Sequence, residues 1–211
     1  MGTREPALRR LERPTGEVQP PGDDSDARLG AWLREDPHTA APALYDRFQS
    51  DVNRWVWRLL GADQDHHDVV QQVFVRVIRS AKRLREVDRL AAWMHAVTVN
   101  TVYGELRRRE IRRLFVRQSD PAPFHPDLVR EVEMRDLLLR AKAIIDKIPA
   151  KERIVFVLHI VEGESLHEIA AILGYSHATA KRRLGAANRR FQALLSRDPE
   201  LSRVLSKLRE P

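Results

Sequence analysis

Cysteine is absent from all 211 residues. That excludes disulfides and thiolate metal sites, and it suits a reducing, cytoplasmic setting. No apolar run approaches the ~18 residues of a membrane span, so membrane insertion is not expected. The N-terminus lacks the apolar centre of a secretory leader. Neither a His-Glu-x-x-His pair nor a glycine-rich phosphate loop occurs, and strand-like alternation is absent throughout. What is present is helical patterning and positive charge. Hydrophobic residues are 43% of the chain, enough for a packed core in one or two small domains. The net charge is +7, which favours a polyanionic partner: nucleic acid before an anionic membrane.

Residues 1–26 hold Pro6, Pro14, Pro20 and Pro21 among mixed charges, a composition that predicts disorder. Helical periodicity then begins. Leu44, Phe48, Val52, Trp55, Val56 and Leu59 form one stripe, ended by Gly61. A second helix is predicted from about Asp65 to Leu84, burying Val70, Val73, Phe74, Val77 and Ala81. A third spans about Arg89 to Arg113, with Leu90, Trp93, Met94, Val97, Thr101 and Leu106 near one face. Gln118 to Pro126 carries three prolines and reads as a linker. Helical pattern resumes near Leu128 through Leu137, Leu138, Ala141, Ile144 and Ile145. Pro149 suits the first turn of the next helix, which would bury Ile154, Val157, Leu158 and Val161. A tail helix should follow Asp198-Pro199 with Leu201, Val204, Leu205 and Leu208 on its apolar side.

The sharpest local signals lie between Ile148 and Leu195. Ser165 and Glu168 have capping-box spacing, so a helix should start at Leu166 and bury Leu166, Ile169, Ala170 and Leu173. Gly174 ends it in a conformation that glycine takes without a Cβ clash. Ser176 is a good N-cap for a second helix, whose stripe is Ala180, Leu184, Ala187, Phe191 and Leu194. The other side carries His177, Thr179, Lys181, Arg182, Arg183, Arg189 and Arg190, with no acid between Ser176 and Phe191. Two short helices at a tight turn, the second basic at its start, describe a helix-turn-helix that enters a DNA groove. A solvated basic helix in an ordinary bundle is the competing reading.

Taken together, these blocks resemble a bacterial sigma-70 family RNA polymerase sigma factor of the extracytoplasmic-function (group IV) type. Ile148–Phe191 resembles region 4, which reads the promoter −35 element. Leu44–Arg109 resembles region 2, which binds core polymerase and reads the −10 element. The residues that carry the second likeness are Asp68-Val69-Val70-Gln71-Gln72-Val73-Phe74, then Trp93 ahead of Asn100, then Glu105-Leu106-Arg107-Arg108-Arg109. The resemblance implies an all-α fold of two small helical domains joined by a proline-containing linker. Its divisions would be an extension at 1–26, a region 2 domain at 27–114, a linker at 115–128, a region 4 domain at 129–197 and a tail helix at 198–211.

The resemblance also implies roles. Asp68, Gln71, Gln72 and Arg79 would meet the coiled coil of the polymerase β′ subunit, and the region 4 domain the β flap. Arg85, Asp88 and Arg89 would lie at the loop that captures a base flipped from the non-template strand, which costs a few kcal/mol of stacking. Asn100 would pair with a base edge or phosphate. Trp93 fits either that site or the core. Arg107, Arg108 and Arg109 fit either duplex phosphates or a solvated helix end. His177, Thr179, Lys181 and Arg182 would face bases or phosphates in the major groove, with Arg183 and Arg189 on phosphates. The stretch RLREVDRLAAW has no aromatic before Trp93, where the family often has one, and Ala180 and Arg182 stand where valine and serine are common.

The implied partners are core RNA polymerase, promoter DNA and an anti-sigma factor. No cofactor, metal or catalytic residue is expected. A free-standing helix-turn-helix regulator is the rival reading. It would not explain the Asp68–Phe74 helix. An enzyme is a weaker rival, because the adjacent His66 and His67 cannot face one site on a helix.

Overall fold

The computed structural model describes residues 25–61, 63–115 and 132–207. Residues 1–24, 62, 116–131 and 208–211 lie outside the described residues, and with them most of the expected extension (1–26) and linker (115–128), as well as Leu128 and Leu208. Among the described residues every regular element is a helix.

The first helix, α1 (Ser25–Glu35), lies before the stretch where helical periodicity is predicted to begin. It buries Leu29, Gly30 and Leu33. Gly30 lets it approach the chain closely at Val87, where a Cβ would stand 2.6 Å from the Val87 carbonyl oxygen. Helix α2 (Ala41–Leu60) buries Leu44, Phe48, Val52, Val56 and Leu59 as expected, with Trp55 half-buried. It stops at Gly61, whose φ of 74° is left-handed.

Helix α3 (His66–Ser80) is shorter than the sequence pattern suggests. The Ser80 hydroxyl donates to the Arg76 carbonyl at 2.6 Å, and the chain tightens into 3-10 turns at Ala81–Arg83 and Val87–Arg89. That tightening puts both Ala81 and Leu84 in the core. Helix α4 (Leu90–Phe115) runs through the centre of the fold. Its inward hydroxyls, Thr98 and Thr101, bond the carbonyls of Met94 and Val97 at 2.8 and 2.7 Å, so they are buried without an unmet donor.

Helices α5 (Val132–Asp146), α6 (Ala150–Ile160), α7 (Leu166–Leu173) and α8 (His177–Leu195) form the C-terminal domain. Pro149 is the N-cap of α6 rather than a residue of its first turn. Its backbone is extended, and its carbonyl accepts from Glu152 and Arg153 at 2.9 and 2.8 Å. Val161, expected inside, is 50% exposed because α6 has already ended. Leu138 is also exposed, since the inward face of α5 is the one that carries Leu137, Ala141 and Ile144.

The tail helix α9 (Pro199–Lys207) packs through Leu201 against Ile144 and Leu195. Arg140 fastens it by bonds to Asp198 and Glu200 at 3.4 and 2.6 Å. The main apolar core does not stop at the domain boundary. It runs from Phe48 and Val73 through Met94 and Val99 of α4 to Val155, Leu158 and Ile169 of the C-terminal domain.

Candidate nucleic-acid interface

Helix α8 starts where its chemistry needs it to start. Thr179 donates its backbone N–H to the Ser176 hydroxyl at 3.2 Å, and that hydroxyl donates to the Thr179 hydroxyl at 2.9 Å. The preceding helix is held by a complete capping box: Ser165 N–H to Glu168 carboxylate at 2.9 Å and Glu168 N–H to Ser165 hydroxyl at 3.2 Å. Gly174 takes φ 65° and ψ 36° between them, a left-handed conformation that turns the chain without Cβ strain.

This frame leaves His177, Lys181, Arg182 and Arg189 exposed and Thr179 half-buried. Two arginines of the same helix are engaged instead. The Arg183 guanidinium lies over the Tyr175 ring, 3.7 Å from its centre, and Arg190 pairs with the buried Glu152 at 2.8 Å. The open basic surface is therefore the first two turns plus Arg189. The positive end of the helix dipole adds to it.

On α3, Asp68, Gln71 and Arg79 are exposed along one face and Gln72 is half-buried. Val75 and Arg76 complete a shallow groove with them. The sequence pattern alone does not single out these two, although the spacing 68, 71, 72, 75, 76, 79 follows the helical repeat. The Gln72 side-chain carbonyl accepts from Arg108 at 3.1 Å.

The Arg107–Arg109 cluster separates. Arg107 is exposed, 5.8 Å from the Tyr103 ring centre. Arg108 bonds Glu105 at 2.8 Å. Arg109 bonds Asp63, Asp65 at 2.9 Å and Glu105 at 3.0 Å, and Arg112 reaches Glu105 at 2.8 Å. Burial opposes charge on Glu105, but the hydrogen bonds from Arg109 and Arg108 outweigh it and hold the carboxyl below its ordinary range. The Arg109 guanidinium is shifted the opposite way: despite its burial, Asp63 and Glu105 strengthen its hold on the proton. Arg108 and Arg109 are thus tied into a carboxylate network, which favours the non-DNA alternative for them.

In the expected −10 segment, Arg85, Asp88 and Arg89 are exposed. Arg89 bonds Glu86 at 3.2 Å, and α1 braces the loop beneath Val87. Trp93 is half-buried and packs against the main core. Asn100 is not open to a ligand through its amide donors: Nδ2 donates to the Ala96 and Ile172 carbonyls, both at 2.9 Å. Ile172 belongs to α7, so this bond joins the two domains.

Two further contacts join them, and no local sequence signal announces either. His95 Nδ1 lies 3.3 Å from the Glu164 carboxylate, and Arg58 bonds Glu162 at 3.0 Å.

His66 and His67 make an edge contact rather than a shared site, and the His66 ring bonds Asn53 at 3.0 Å. Among the described residues no group of three His, Cys, Asp or Glu side chains is placed to hold a metal. No helix there is long and apolar enough to cross a membrane.

Comparison with known proteins matches residues 44–111 to Sigma-70 region 2 and residues 138–190 to Sigma-70, region 4. The chain is 31% identical over 158 residues to the ECF RNA polymerase sigma factor SigL of Mycobacterium tuberculosis, covering 72% of this chain and 87% of that one. It is 26% identical over 196 residues to the ECF RNA polymerase sigma factor SigE of Mycolicibacterium smegmatis, covering 88% and 70%. Among solved structures it is similar to CnrH in complex with the cytosolic domain of CnrY, with a TM-score of 0.54 and 26% identity over 82% of this chain and 98% of that one. The fold is also shared with the sigma factor RpoE bound to the anti-sigma factor NepR from Bartonella quintana: TM-score 0.53, 21% identity, 74% and 97% covered.

Proposed function

The chain belongs to the sigma-70 family of RNA polymerase sigma factors, in its extracytoplasmic-function branch, and we propose how its residues divide the work of that family. It is a promoter-specificity factor: it binds core RNA polymerase and directs it to promoters. The polymerase carries out the chemistry, so the chain itself is not an enzyme and needs no cofactor. Its place of action is the cytoplasm, where polymerase and promoter meet.

Helix α8 enters the major groove at the −35 element by its first turns. His177, Thr179, Lys181 and Arg182 face base edges and phosphates, and Arg189 holds the backbone. Arg183 reaches phosphate once released from Tyr175. The observation that carries this assignment is the capped α8 with its exposed cations and no acid along its length. An Arg at 182 is suited to a guanine edge or a phosphate, since its planar fork matches either.

Asp68, Gln71 and Arg79, with Gln72 and the neighbouring Arg76, form the face of α3 that docks on the β′ coiled coil. The C-terminal domain meets the β flap. Arg85, Asp88 and Arg89 form the loop that handles the −10 element, with Asn100 and Arg107 beside it. Trp93 braces that loop from the core, and Arg108 acts through Gln72 and Glu105 rather than on DNA. The proposed division of the chain is region 2 over 27–114 and region 4 over 129–197, with the linker between. An anti-sigma factor is a further partner, supported by the likeness to CnrH, a protein solved with CnrY.

Run-off transcription with core polymerase on a library of promoter fragments tests the function. Initiation that requires this protein, at one paired motif, is the expected result. DNA binding by the chain alone, with no initiation and no polymerase binding, would point to a free-standing regulator.

A further inference from the structure

The roles assigned to α3, α4 and α8 leave the tail helix α9 without a task, although the sequence marks it clearly. Asp198 and Pro199 open it, and Leu201, Val204 and Leu205 follow at i, i+3 and i+4. It lies beyond the residues matched to region 4, which end at 190. Its apolar contacts form a cluster apart from the main core. Leu201 sits in a seam between α5 and α8, whose floor is Leu137, Ala141, Ile144, Phe191, Leu194 and Leu195. The C-terminal end of the recognition helix is therefore one wall of a seam that α9 covers.

The cover is held lightly. Helix α9 has nine residues, too few to stay helical in water without packing. Its Leu201 is buried and its Val204 half-buried. One guanidinium fastens its start. Arg140 bonds Glu200 at 2.6 Å, with the two side chains 38% and 56% exposed, and pairs so open to water hold little. Arg140 also bonds Asp198 at 3.4 Å through the carboxylate oxygen that caps α9 by accepting the Leu201 N–H at 3.1 Å. Asp136 of α5 already shares the same guanidinium at 2.9 Å, so Arg140 keeps a partner when α9 leaves. Residues 196–198 join α8 to α9 and serve as the hinge. The seam beneath is a different kind of surface. Uncovered, its apolar side chains from two helices form the groove that an amphipathic helix fits, as α9 itself demonstrates.

We propose that α9 is a displaceable cover: it fills the α5–α8 groove in the free chain and must leave before that groove takes an apolar-faced helix of core RNA polymerase. The proposal rests on the sigma-factor reading and names the surface through which the C-terminal domain meets the polymerase. Polymerase displaces α9 only by binding the uncovered groove better than the covered one, since a ligand shifts an equilibrium by its differential affinity for the two states.

Because the chain has no cysteine, two can be introduced and joined cleanly. R140C and E200C stand where a side-chain pair already meets, and a short bismaleimide with a central disulfide will bridge them in the full chain. Bridging locks α9 over the groove, and a reductant cuts the bridge without altering either modified residue further. Apparent affinity scales with the fraction of chains competent to bind, so run-off initiation by the bridged protein at limiting concentration should fall about tenfold and return on cutting. Equal initiation before and after cutting overturns the proposal and leaves the sigma-factor reading intact. Failure of the unmodified chain to support initiation removes that reading, and the proposal with it, independently of the bridge.

A truncation that removes residues 198–211 gives the second measurement. Titrated against core polymerase, it should bind several-fold more tightly than the full chain, with the remaining helices intact by circular dichroism. Weaker or equal binding, or loss of helix beyond the tail itself, would make α9 a structural part of the C-terminal domain and overturn its role as a cover.

Discussion

Two arginine-rich stretches on two helices stand in opposite surroundings. On α8, Lys181 and Arg182 project into solvent from a helix that has no carboxylate of its own. On α4, Arg108 and Arg109 fold back onto Glu105, Asp63 and Asp65. The first stretch is free to condense on phosphate. The second has already exchanged water for a half-buried carboxylate network and holds the end of α4 against the start of α3. Charge density in a sequence is therefore no guide to charge available to a ligand. The nearest acids decide, and some of them lie more than 40 residues away.

The largest expected effect tests the open stretch. K181A with R182A should abolish promoter-specific initiation while leaving polymerase binding intact. In direct DNA binding, the slope of log affinity against log salt should shrink by about 1.8, or ~0.9 for each phosphate no longer neutralised. A wild-type slope in this variant would remove these side chains from the DNA interface.

Next comes the closed stretch. E105A leaves three arginines without the carboxylate they share, and the change should cost about 3 kcal/mol, as breaking a buried pair does. Urea denaturation checks it. An R108A variant, which removes one exposed partner only, should cost well under half as much. If the two costs are equal, the network is not organised around Glu105.

Third, S176A should cost about 1 kcal/mol in the stability of the C-terminal domain, because the Thr179 N–H loses its acceptor. DNA affinity should fall along with it, since the cap fixes the first turn that is proposed to face the groove. S165A, equally well capped but behind the recognition helix, should cost similar stability with less effect on DNA binding.

The last expected effect is a pH dependence where the two domains meet. Burial lifts the Glu164 carboxyl to about 7, with repulsion from Glu168 and Glu162 adding to it. Its ordinary value is 4.5. A group whose proton is held more tightly in the folded state adds stability below pH 4.5 and loses it as pH rises through 7. His95 works the other way. Burial pushes its imidazole below 6.5, partly offset by Glu162, so its contribution is present above pH 6.5 and is lost in acid. The other charged group at this boundary is Arg58, bonded to Glu162. In E164Q the decline between pH 4.5 and 7 should vanish, leaving only the acid-side loss from His95. An unaltered profile in E164Q would assign the pH dependence elsewhere.

Several elements are legible in the sequence because their causes are local. Ser165, Glu168, Gly174 and Ser176 act within four residues of where they stand, and the structure has all of their bonds and the left-handed turn. The stripes of α2, α3 and α8 follow the 3.6-residue repeat. Helix α1 is not legible. Its stripe, Leu29, Trp32 and Leu33, covers barely one turn, and the helix is held by its approach to Val87 through Gly30. The end of α3 at Ser80 is hidden because apolar positions continue past it to Leu84 in 3-10 geometry. The α3 groove proposed to face polymerase is half legible: Asp68, Gln71, Gln72 and Arg79 mark it in the sequence, while Val75 and Arg76 look there like ordinary helix surface.

By itself the sequence determined an all-helical chain, its capped helix-turn-helix and the family to which it belongs, because periodicity, caps and turns depend on neighbours within about one helical turn. Only the tertiary structure decided which arginines are spent on carboxylates, that Trp93 packs against the core, and that Asn100 bonds Ile172, 72 residues away. Those outcomes depend on which surfaces meet, and the burial that fixes them belongs to no single helix.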